Sequence, residues 1–171
     1  MALTRLNTNA YGSTVNLASN VTGTLANSNL AAGNVIQVVS AVTDTGASNT
    51  TTTYADTGLT ATITPSATSS KVLIIFVHNG VLKRNVGTGL GVNIGLFKAS
   101  SQLDTVAVEA GWNNLAQWND IGAVGASYLD SPSTTSATVY KTQFKCQNTT
   151  GTVNINNASA GSYITLMEIA G

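Results

Sequence analysis

The sequence predicts an all-β protein: an antiparallel jelly-roll sandwich preceded by an extended N-terminal arm. Three observations point there. Short β-branched runs follow one another from Val35 onward, separated by turn residues. No stretch carries a sustained helical period. The last strand, Ser162-Tyr-Ile-Thr-Leu-Met-Glu-Ile-Ala170, is apolar on both faces, so it needs cover on two sides.

The elements follow in order. Strands are expected over Val35–Val42, Leu59–Thr64, Lys71–His78, Gly91–Lys98, Leu103–Ala110, Ala126–Asp130, Thr138–Cys146, Thr152–Asn156 and Tyr163–Ala170. Turns are expected at Asp44-Thr-Gly46, Asp56-Thr-Gly58, Asn85-Val-Gly-Thr-Gly89, Asn148-Thr-Thr-Gly151 and Asn157 to Gly161. Val72–Val77 is solidly apolar and should be a central strand. Pro65 closes a strand and Pro132 sits in a loop, as a residue without a backbone donor requires. Gly87-Thr-Gly-Leu-Gly91 precedes a strand, whereas a phosphate-binding loop follows a strand and opens a helix; it reads as a hairpin turn. Residues 111–120 hold both tryptophans among amides and small residues and read as a long loop.

Residues 1–34 form a separate N-terminal segment, and residues 35–171 the sandwich. The first segment is rich in Asn, Thr, Ser, Ala and Gly and cannot bury enough surface to order itself alone. It reads as a loose tail or as an arm ordered against a partner. The regular sprinkling of Leu3, Leu6, Val15, Leu17, Val21, Leu25 and Leu30 favours the arm.

Composition narrows the chemistry. Lys+Arg number 7 against Asp+Glu 7, and charged residues make up only 8 %. Nucleic-acid binding needs clustered cations, and the one basic pair, Lys83-Arg84, reads as an exposed hairpin. The opening Met-Ala-Leu-Thr-Arg lacks the apolar core of a signal peptide, and no run approaches the roughly 20 apolar residues of a membrane helix. Synthesis in a cytoplasm without membrane insertion is the expectation. The single cysteine, Cys146, forbids an intrachain disulfide and reads as a small hydrophobe near a strand end.

No catalytic set assembles from the pattern. His78, the one histidine, is expected to pack at a strand end rather than to serve a nucleophile. The carboxylates Asp44, Asp56, Asp104, Glu109, Asp120, Asp130 and Glu168 are scattered, with no calcium-loop spacing, and one His with one Cys makes an intrachain zinc site improbable. No cofactor is implied. Trp112, Asn113, Asn114 and Trp118 are candidate glycan contacts, since indole rings stack on sugar faces while amides bond hydroxyls; the competing reading has the rings capping the sandwich or filling an interface. Glu168 is expected at a wet rim, the alternative being a partner on a neighbouring copy.

The terminal strand therefore predicts an oligomer of identical chains, with Tyr163, Ile164, Leu166, Met167 and Ile169 at the interface. Several segments carry a resemblance in the same order: Val35-Ile-Gln-Val-Val-Ser40, Tyr54-Ala-Asp-Thr-Gly-Leu-Thr-Ala-Thr-Ile-Thr-Pro65, Ser70-Lys-Val-Leu-Ile74, Tyr128 to Thr138, Tyr140-Lys-Thr-Gln-Phe144 and Ile164-Thr-Leu-Met-Glu-Ile169. Together they cover most of residues 35–171 and resemble short fibre-like or decoration virion proteins of marine and cyanobacterial tailed phages. Asn20-Val-Thr-Gly-Thr-Leu25 and Ala26-Asn-Ser-Asn-Leu30 look like connector sequence near phage fibre shafts.

The resemblance implies a jelly roll of the tumour-necrosis-factor or complement-head type, a homotrimer with its last strand near the threefold axis, and a place on the exterior of a virion. It implies other virion proteins as partners, capsid or tail, with Leu3, Leu6, Val15, Leu17, Val21 and Leu25 as anchoring positions. Capsid decoration, short fibre and a tail knob that recognises host-surface glycan all remain open at this point.

Overall fold

The computed structural model describes residues 31–171 apart from Thr88 and Thr150. The anchoring positions Leu3, Leu6, Val15, Leu17, Val21 and Leu25 lie outside the described residues. Ten strands are present among those described: β1 Val35–Thr43, β2 Ala47–Asn49, β3 Ala55–Ile63, β4 Lys71–Asn85, β5 Leu90–Lys98, β6 Ser101–Asn113, β7 Trp118–Asp130, β8 Thr138–Cys146, β9 Gly151–Ile155 and β10 Ser162–Ile169.

They form two antiparallel sheets. In the first, β1, β10, β4 and β7 lie side by side, and β9 and then β2 continue beside the distal half of β4. The second runs β3-β8-β5-β6. Two four-stranded layers in these orders, with β2 and β9 as additions, make a jelly-roll-like sandwich.

Alternation along each strand decides what enters the core. Val72, Ile74 and Phe76 of β4 point inward with Ile164 and Leu166 of β10, and meet Leu59, Ile63, Leu90, Ile94, Leu96, Tyr140 and Phe144 from the facing sheet. Cys146 is buried in this core, its thiol pushed up by burial.

Several expectations need correcting. β4 does not stop at His78. It runs on for 15 residues by absorbing register shifts between His78 and Val81 and between Val81 and Leu82, with Gly80 at φ 59°. His78 is therefore mid-strand, and Lys83 lies within the strand rather than on an exposed hairpin. Lys83 is fully buried, and its ammonium donates to the Leu90 carbonyl at 2.6 Å. The segment around Gly87–Gly91 is no hairpin: it carries the chain from β4 in one sheet to β5 in the other. The tryptophan loop is short, because Trp112 belongs to β6 and Trp118 to β7, and only residues 114–117 join them across the sheets.

Glu168 is not at a wet rim. It shares the inward parity of Ile164 and Leu166 and is fully buried. Its carboxylate accepts from the Ser66 N–H, Ser66 Oγ and Ser70 Oγ at 2.7 Å each, and from Gln37 Nε2 at 2.5 Å. Burial pushes its pKa up, but the bonds from Gln37, Ser66 and Ser70 outweigh that and hold it below the ordinary carboxylate value.

Candidate functional site

The two outer faces of the sandwich differ in chemistry. On the β3-β8-β5 side the outward residues include Asp56, Thr60, Thr62, Lys141, Gln143 and Lys145, with Lys141 paired to Asp56 at 2.8 Å. That ion pair occupies a shallow groove of about 200 Å³ and holds the Asp56 carboxyl below its usual value against the opposing pull of burial.

The outer face of the first sheet carries no charge across its central rungs. Register places Val38, Met167, Leu73 and Leu129 in one row. Ser40, Thr165, Ile75 and Ser127 form the next, and Val42, Tyr163, Val77 and Gly125 the third. Val38, Val42, Leu129 and Tyr163 are each more than half exposed, and Ile75 is 42 % exposed. The face is thus uncharged and mixed, with two largely apolar rows on either side of a row that holds three hydroxyl residues and Ile75.

This placement splits the residues expected at the interface. Tyr163, Met167 and Ile169 face outward on this sheet. Ile164 and Leu166 are fully buried within the chain's own core and are not available to a neighbour.

The two tryptophans also separate. The Trp112 ring lies against Gly89, where an added methyl would fall 2.6 Å from it. Asn113 is used locally: its carbonyl accepts from Asn85 Nδ2 at 2.8 Å and its side chain accepts from the Leu115 N–H at 3.2 Å. Asn114 is exposed. Trp118 instead lines a groove with Leu82, Asn119, Asp120 and Asn157. Asn119 and Asp120 adjoin Trp118 within segment 111–120, where the expected contacts were Trp112, Asn113, Asn114 and Trp118. Leu82 and Asn157 come from distant elements and leave no local signal.

His78 faces the core and is fully buried. Its Nε2 lies 2.8 Å from Thr142 Oγ1, which lies 2.7 Å from Thr57 Oγ1; its Nδ1 has no hydrogen-bond partner. Cys146 donates instead to the Asn49 carbonyl at 3.2 Å. No nucleophile-base pair forms between them. Among the described residues no group of three or more His, Cys, Asp and Glu is placed to hold a metal ion. No helix among them is long and apolar enough to cross a membrane.

Burial lowers the His78 pKa from 6.5 to about 4. The unfolded chain takes up this proton near pH 6.5 and the folded chain only near pH 4, so stability is full above 6.5 and falls as the pH drops through that window. The expected loss is about 3 kcal/mol by pH 4. Glu168 adds to it only below about pH 4.5, its ordinary value. Urea unfolding of the native chain at pH 7.5, 6.0 and 5.0 should show the decline, and His78→Leu should flatten it. A native chain equally stable at all three pH values would mean that His78 titrates normally.

No protein-family model matches the chain, and no curated protein sequence does. Among solved structures, several of one virus align with the chain at low similarity. A T13 particle of infectious bursal disease virus aligns with a TM-score of 0.40 at 12 % identity, over 78 % of this chain and 37 % of that one. The VP2 subviral particle of the same virus aligns with a TM-score of 0.36 at 11 % identity, over 80 % of this chain and 38 % of that one. The virus's Gx strain aligns with a TM-score of 0.36 at 14 % identity, over 79 % and 37 %. The chain thus spans little more than a third of the length of these structures.

Proposed function

We propose that this chain is a non-enzymatic bacteriophage virion structural protein. It assembles as a homotrimer through the outer face of the β1-β10-β4-β7 sheet, sits on the particle exterior, and is anchored by residues 1–34. The uncharged face, with its exposed Val38, Val42, Ile75, Leu129 and Tyr163, carries the reading. Identical copies can meet on such a surface without opposing like charges, and covering it removes these side chains from water. The resemblance of residues 35–171 to phage fibre-like and decoration proteins supports the trimer and the virion.

Sedimentation of the native chain tests the assembly. A mass of three chains, little changed by salt, is expected because few charges are available to carry the contact. A stable folded monomer would overturn it. Copy number on intact particles then separates the placements: many copies over the shell mean a decoration protein, a few at the tail mean a fibre or knob.

A further inference from the structure

The geometry points to a saccharide-binding groove at the distal end of the β4–β7 ladder, on the outer face of the first sheet and beyond the β4 bulge from the uncharged rungs. The groove has a volume of about 440 Å³ and is lined by Leu82, Trp118, Asn119, Asp120 and Asn157. Three independent elements build it. Leu82 pairs with Asp120, and Arg84 with Trp118, across the ladder beyond the β4 bulge. Asn157 comes from the 3-10 turn Asn157–Ser159, whose backbone sits over Gly80, where an added methyl would fall 2.7 Å from Asn157 N and O. Gly80 lies between Val77, on the uncharged rungs, and Leu82, in the groove. The β4 bulge thus separates the groove from the rungs along the ladder, and the inference rests on the groove residues and not on the oligomer.

The side chains match a pyranose ring, which offers a flat patch of C–H bonds and a rim of hydroxyls. Trp118 supplies the platform. It is 62 % exposed, and Arg84 lies over it with its guanidinium carbon 5.6 Å from the ring centroid, a cation–π contact that holds the indole. Leu82 adds apolar surface beside it. Asp120 and the Asn157 amide supply acceptors and donors for hydroxyls. Asp120 spends one oxygen on the Gly122 N–H at 2.9 Å, and its other oxygen is free among the described residues. The Asn119 side chain turns to the other face of β7, where it donates to the Gly111 carbonyl of β6 at 3.4 Å. The Asp120 carboxylate offsets the neighbouring Arg84 guanidinium, so a phosphate or other anion meets no net positive charge, and a purely apolar ligand is disfavoured by the polar side chains of Asp120 and Asn157. The ligand class that remains is an uncharged saccharide, a monosaccharide or the end of a longer glycan. So few contacts in an open groove give a Kd of about 1 mM for one sugar.

Saturation-transfer NMR on the full chain tests this without relying on tryptophan emission. The probes are the methyl α-pyranosides of glucose, mannose and galactose and free N-acetylglucosamine, each titrated to about 50 mM. At least one should give a saturable response. Trp118→Ala should abolish it and Trp112→Ala should leave it intact. Asp120→Asn keeps an acceptor for the Gly122 N–H, so the turn survives, and should weaken binding about tenfold, the worth of one good hydrogen bond to a charged group. Circular dichroism confirms that each variant is folded. No saturable response from any probe, or a response that survives both Trp118→Ala and Asp120→Asn, overturns the inference.

Discussion

Glu168→Ala should destabilise the chain by about 3–5 kcal/mol, a large part of the roughly 5–15 kcal/mol that holds a domain of this size folded. The reason lies in what surrounds the carboxylate. Its partners are the Ser66 N–H, Ser66 Oγ, Ser70 Oγ and Gln37 Nε2, all neutral, and the hydrogen bonds serve the charge in place of water. Alanine would leave those donors facing a void inside a fully buried position. Each unsatisfied buried donor costs about 1–3 kcal/mol, with partial relief where the 64–70 connection relaxes. Gln37 Nε2 also donates to the Thr64 carbonyl at 2.7 Å, so the same cluster ties β1, β10 and the β3–β4 connection together. Glu168→Gln keeps the volume but turns an NH2 group toward donors, and should cost about 2 kcal/mol. Urea midpoints at pH 7 measure both. A loss below about 0.5 kcal/mol for alanine, the scale of an ordinary surface change, would refute the buried-clamp account.

This cluster also shows what a local reading of residues can and cannot reach. The parity of Glu168 with Ile164 and Leu166 was visible, and it put the three side chains on one face of the strand. Its hydropathy argued the other way, and the partners that resolve the conflict lie 98, 102 and 131 residues away. Lys83 misled for the same reason, since its acceptor is a carbonyl brought close only by the crossing from β4 to β5. Period-2 alternation and turn residues located Thr138–Cys146 to the residue, because β8 is regular and bounded by polar loops. They shortened β4, β6 and β7, where bulges and positive-φ residues such as Gly80, Glu109, Gly111 and Gly122 imitate chain reversals inside continuous strands. The two-faced terminal strand was legible as such. Which of its faces meets the core depends on register with β1 and β4, and that is a property of the fold.

Register is also what makes the assembly face testable, through a pair of aspartates. Ile75→Asp should leave the subunit folded and raise the dissociation constant of the assembly by at least about 100-fold. Ile75 stands outward between Thr165 and Ser127 in the middle rung, so in an isolated chain the new carboxylate meets water. The cost there is about 1 kcal/mol, the span of strand propensity. In a symmetric assembly each copy would bring the same carboxylate into a contact with no cation to receive it, at several kcal/mol. Leu166→Asp is the internal counterpart. Leu166 has no exposure, so the substitution removes core packing and buries an unpaired charge, and should unfold the chain before assembly is in question. Circular dichroism with sedimentation separates the two: native-like spectrum with one-chain mass for Ile75→Asp, loss of the strand signal for Leu166→Asp. If Ile75→Asp sediments as the native chain does, these uncharged rungs are not where copies meet.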